Sequence, residues 1–173
     1  MVFFNKKSKE LGGCADAMGY QSFHFGSTDW ENFSSLLKQE LHSIKHIKED
    51  FIVRQAIFYV IIAINLILVN FNNNYHEAAV KSLVKGFKEK IEEANCKETT
   101  EFAINLLNKY IDSFSCDPDF RNLINYQKKF LAESIGEIEG YAIISATLET
   151  FLTTSISTFP FEKLFPNKQW YIK

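Results

Sequence analysis

The segment Phe51–Phe71, FIVRQAIFYVIIAINLILVNF, constrains this chain more than any other, because a stretch so long and so apolar must be withdrawn from water. Coiled at 1.5 Å per residue it matches a bilayer core of about 30 Å, so a membrane span and a buried core helix are both open by length. Arg54, Gln55, Asn65 and Asn70 separate the two. They leave uninterrupted apolar sequence only over Ala56–Ile64 and Leu66–Val69. Polar groups in that number are costly in hydrocarbon but find partners inside a protein. The run therefore reads as the central helix of a folded domain, buried on nearly all sides. A membrane-associated helical protein, with a second span near Tyr141–Phe159, is the alternative, weakened by Glu149 inside that segment and by the lack of a Lys/Arg asymmetry around the first.

The rest of the chain reads as all-α. At 173 residues with 46 % hydrophobic side chains, it suits one domain with a single core and needs no metal or disulfide to hold it. Residues 1–28 carry four of the seven glycines and no helical period, which predicts a loose or docked N-terminal arm. Thr28-Asp29-Trp30-Glu31 has the form of a capping box and opens a helix with Trp30, Phe33, Leu37, Leu41 and Ile44 on one stripe. Asn70-Phe71-Asn72-Asn73-Asn74 closes the central helix. Further amphipathic helices follow over about 75–94 and from about 100 to Phe114. Asp117-Pro118-Asp119 marks another start, and Gly136 with Gly140 a bend or join. Pro160 to Lys173, with two prolines and four aromatic rings, should strap across the bundle or a partner. The expected architecture is an irregular bundle of five or six helices around residues 51–71, forming one domain over 29–173.

Composition narrows the function classes. Nineteen basic against 21 acidic residues give a net charge of −2, so no positive field draws nucleic acid. Cys14, Cys96 and Cys116 are odd in number and in no CxxC spacing, which fits a reducing cytoplasm. Seventeen phenylalanines must be packed as flat rings, and an apolar ligand cavity among them is one way to do so. No phosphate-binding loop, dinucleotide fingerprint or GxSxG elbow is present, which lowers the case for an enzyme.

Three constellations carry candidate chemistry. His42, His46 and Glu49 form an HxxxHxxE cluster, the spacing of transition-metal ligands on one helical side. They fall opposite the apolar stripe, so exposed and unliganded histidines are favoured over a metal site, and no cofactor is expected. Ala132, Gly136 and Gly140 place small residues at four-residue intervals, a face for close helix packing within the fold or across a homodimer. Arg54, Asn65 and Glu149 are polar in apolar surroundings. An Arg54–Glu149 pair, a pocket lining, or side chains reaching the surface would each make them tolerable. The function these features favour is a non-enzymatic helical binding or interaction module. It would act through a protein interface, self-association or an apolar pocket for a small ligand, with metal binding as the other alternative.

Overall fold

The computed structural model describes residues 6–37, 47–94, 97–136 and 141–172, and every long element in them is helical. The order is α1 (Lys6–Leu37), α2 (Lys48–Asn70), α3 (Asn73–Ala94), α4 (Lys97–Phe114), α5 (Arg121–Ile135) and α6 (Tyr141–Ser157). A one-turn α7 (Phe161–Leu164) and a 3-10 turn at Lys168–Trp170 complete it. The fold is an all-α bundle around α2. From Ala56 to Ile64 every residue of α2 is buried, and α2 packs chiefly against α1, with α3 and α4 also in contact with it. By length and composition α2 is the one described helix able to cross a membrane, yet 78 % of its apolar window lies inside the protein. Its apolar surface is covered by its own neighbours. α5 pairs with α6, and α7 returns to α1.

The N-terminal segment departs from expectation. Most of the predicted arm belongs to α1, which runs unbroken through Thr28-Asp29-Trp30-Glu31, so these residues cap nothing: their backbone groups are already inside a helix. The glycines that suggested a loose segment serve close approach instead. Gly12, Gly19 and Gly26 recur every seven residues, with Ala15 and Ser22 between them, which gives α1 one small-residue seam. A Cβ on Gly19 would lie 1.9 Å from the Leu83 carbonyl oxygen of α3, and one on Gly86 of α3 would lie 2.0 Å from the Asp16 carbonyl oxygen. At Gly26 the seam passes to α2, where a Cβ would meet the Ile52 carbonyl oxygen at 2.5 Å. The three helices touch backbone to backbone.

The other boundaries follow local chemistry. α5 starts at Arg121, three residues beyond Pro118, because Phe120 precedes it in the left-handed region (φ 56°). Asp117 still caps the helix, reaching over that turn to accept the Asn122 and Leu123 amides at 2.8 and 3.2 Å. Gly136, at φ 77°, ends α5, and α6 follows as a separate helix. The C-terminal tail folds onto the corner between α2 and α3. There the fully buried Phe71 meets Phe161 and Phe165, each at 5.7 Å between centroids, and Tyr171 edge-on at 5.4 Å. The Asn72 amide donates to the Tyr171 carbonyl at 2.6 Å, which fixes the strap to the corner.

A polar cluster sits under the α1–α2 crossing. Asp29, 8 % exposed, accepts hydrogen bonds from Gln55 Nε2 at 2.8 Å and Tyr59 Oη at 2.7 Å. Burial raises its carboxyl above the usual aspartate range, with the bonds from Tyr59 and Gln55 pulling it partway back. The native state thus holds this proton more tightly than the unfolded chain. Its contribution to stability is fullest at low pH and declines as pH rises through the native value. Asn at this position keeps an acceptor oxygen without the charge. Asp29→Asn is expected to flatten the fall in stability that sets in as pH rises above the usual aspartate range and to leave the melting temperature at neutral pH equal or higher. Chemical denaturation of both proteins over that rise in pH checks it; a parallel pH slope in the variant would assign the dependence elsewhere.

Candidate functional site

α2 brings Arg54 to a junction with α4 and α5, where three helices each supply one polar group. Arg54 Nη1 donates to the Tyr110 hydroxyl at 3.3 Å, Tyr110 donates to Gln127 Oε1 at 3.1 Å, and Gln127 Nε2 donates to the Arg54 backbone carbonyl at 3.1 Å. The circuit closes on itself. Tyr110 is fully buried and Gln127 is 5 % exposed, so neither keeps much access to water. Burial raises the Tyr110 phenol well above its usual value, with the Arg54 charge opposing, so the hydroxyl stays protonated and able to donate. The Phe130 ring lies 3.8 Å beneath the guanidinium and the Tyr126 ring 5.8 Å away. Tyr126 stands edge-on to Tyr110 at 5.0 Å, and Lys109, on the exposed side, sits 5.9 Å from the Tyr126 ring.

The charge balance of this junction is incomplete. Arg54 is half-buried, and its Nε hydrogen is enclosed with no acceptor. Among the described residues no carboxylate lies within ion-pair distance of it. Glu149, paired with Arg54 in one of the three sequence readings, instead reaches the surface on α6 and bonds Lys128 of α5. An Arg54–Glu149 pair therefore does not form. Cation–π contact with Phe130 and the bond to Tyr110 offset part of the desolvation of the guanidinium, but neither supplies a counter-charge.

The remaining candidates lie apart. Asn65 is buried, its amide donating to the Ile61 and Phe114 carbonyls at 3.0 and 3.3 Å; it ties α2 to the end of α4 and has a structural role. Ala132 is on α5, whereas Gly136 is beyond its last turn with open space around it, so the two do not form one helical ridge. Gly140 lies outside the described residues, as do His42 and His46. Glu49 is exposed in the first turn of α2, and no three His, Cys, Asp or Glu side chains converge among the described residues.

Tyr110 reads from sequence only as an inward-facing ring, and Gln127 is not singled out. One signal was available for Gln127: Leu123, Gln127 and Leu131 recur every four residues, which puts an amide in the buried stripe of α5. Comparison with known proteins gives no match: no family model fits the chain, and no curated protein or solved structure is significantly similar to it.

Proposed function

We propose that this chain is a non-enzymatic helical binding module that recognises an anionic group through Arg54. One observation carries the reading: a half-buried guanidinium with an enclosed, unpartnered Nε hydrogen and, among the described residues, no acid beside it. Buried polar groups in folded proteins find partners, and one that lacks a partner within the chain calls for one from outside it. The network around Arg54 supports this. Tyr110, itself held by Gln127, bonds the Nη1 end of the guanidinium, while Gln127 ties back to the Arg54 main chain, so the group is oriented as a recognition group requires. The helices on either side supply rings rather than nucleophiles or bases.

Arg54→Met keeps the apolar stem and removes the charge. It is expected to weaken anion binding at least tenfold, about 1.4 kcal/mol, while leaving the melting temperature unchanged or higher. Calorimetric titration with a panel of small anions, set beside thermal unfolding of both proteins, makes the check. A large drop in stability in the variant with no anion bound by the wild type would make Arg54 a structural residue.

A further inference from the structure

We infer that one end of the bundle docks on an anionic lipid surface, with Trp170, Ile172 and Val69 entering the bilayer interface and lysines of α1 and the strap meeting the headgroups. The inference is independent of the Arg54 reading, since Val69 lies 15 residues further along α2, about 22 Å away on its axis. The topology gathers these groups. α1 runs antiparallel to α2, with Phe25 against Tyr59 and Phe33 against Phe51, and parallel to α3, with Gly12 beside Ser82 and Tyr20 bonded to Glu93. The first turn of α1, the end of α2 and the start of α3 therefore share one end. The strap lies across it: the Tyr171 ring meets Phe71 and Tyr75, and burial, with the Glu10 charge of α1 beside it, pushes the Tyr171 phenol up to about 12. Trp170 and Ile172 flank Tyr171 but turn outward, 41 % and 57 % exposed, and Val69, two residues before Phe71, is 74 % exposed. Among the described residues these are three of the six large apolar side chains left in water.

Charge is segregated to the same segments. Residues 6–10 and 162–173 hold six lysines against Glu10 and Glu162, whereas the rest of the chain has 13 basic and 19 acidic residues. Lys6, Lys7, Lys9 and Lys163 are exposed, while Glu10 is half-buried with its Oε2 enclosed. A positive end on a net negative chain orients the molecule toward a negative surface, and each lysine near such a surface strengthens binding about fivefold. Nucleic acid and bilayer both offer phosphates, but exposed aliphatic side chains gain nothing from a phosphate backbone. An exposed indole among lysines suits the headgroup level instead, where the ring has one wet edge and a lysine stem crosses apolar surface to reach the charges. The cations are lysines throughout, point charges for a diffuse field rather than the arginine forks that grip a fixed phosphate.

Tryptophan emission makes the test, because Trp30 is buried in the core and Trp170 is the exposed reporter. The whole chain is titrated with vesicles of phosphatidylcholine alone and of phosphatidylcholine mixed with phosphatidylserine, and bound protein is measured in parallel by co-sedimentation. With the mixed vesicles the emission is expected to move to shorter wavelength saturably, at an affinity at least tenfold above phosphatidylcholine alone, and added salt should weaken it. Trp170→Ala should lower co-sedimentation at least threefold, and Lys6→Gln, Lys7→Gln and Lys9→Gln together at least tenfold, both at unchanged melting temperature. No binding to the mixed vesicles, equal binding to the two kinds, or binding that survives both variants overturns the inference. A short single-stranded oligonucleotide or a polyglutamate peptide that binds as tightly as the mixed vesicles overturns the lipid assignment in favour of another anionic partner.

Discussion

Replacing Gly19 by alanine is expected to destabilise the protein by about 3 kcal/mol or more, lowering the melting temperature by roughly 6 to 12 °C. In an open helix the same change stabilises, by about 0.5 to 1 kcal/mol, because alanine loses less backbone freedom on folding. Sterics reverse the sign. The new methyl would lie 1.9 Å from the Leu83 carbonyl oxygen and 2.8 Å from the Phe87 amide nitrogen, both backbone atoms of α3 that no side-chain rotation can clear. The two helices must move apart, which opens gaps along a seam whose neighbours Ala15, Met18 and Leu83 are now fully buried. Gly13 supplies the control. It lies in the same helix, is exposed, and has nothing within 4 Å of the position its Cβ would take, so Gly13→Ala is expected to stabilise. Thermal unfolding of the two variants side by side checks the pair; equal effects at both positions would mean that α1 does not pack on α3 through this seam.

Phe71→Ala should cost about 3 to 5 kcal/mol and release the C-terminal strap. The side chain is fully buried at the α2–α3 corner, and three of the rings around it, Phe161, Phe165 and Tyr171, come from the tail. Truncation therefore removes both a core volume and the surface that the tail docks on. Trypsin should cut after Lys163, an exposed residue of α7, much faster in the variant. Trp170→Ala, which removes a ring already 41 % exposed, should change neither stability nor cleavage appreciably. A Phe71→Ala protein that unfolds early yet keeps its tail protected would show that α7's packing on α1 alone retains the strap.

Helical class and the central role of Phe51–Phe71 were legible because both are local: a 3.6-residue period and a long apolar run state themselves within one segment. The helices over 73–94 and 97–114 follow from the same period. The first helix was not legible by this rule. Glycine carries a low helix propensity, so GGCADAMG argues for a break unless its seven-residue spacing is read as a packing pattern, and what the seam faces is fixed only by α3. The Thr28-Asp29-Trp30-Glu31 motif misled for a related reason: Asp29 turns to Gln55 and Tyr59 across the crossing rather than to amides of its own turn.

The candidate site was half legible. Arg54 is conspicuous as a charge in an apolar run, and its need for company follows from electrostatics. Its company did not follow. Glu149 is the nearest guess by charge alone, but the partners are a phenol and an amide, Tyr110 and Gln127, from two helices whose arrangement only the fold determines. A polar residue in a buried helical stripe is a stronger clue to such a site than an acid elsewhere in the chain.

The strap over Phe71 bears on how the protein comes into being during synthesis. The corner between α2 and α3 leaves the ribosome well before the rings that cover it, since Phe161 and Tyr171 follow Phe71 by 90 and 100 residues. Until those rings emerge, the growing polypeptide must carry an uncovered aromatic corner beside its long apolar helix, a surface that invites chaperones or neighbouring nascent chains. Closure waits for the tail to clear the ribosome, and ribosome-bound chains stalled after α6 should show the open corner as protease sensitivity that disappears once residues 161–171 have emerged.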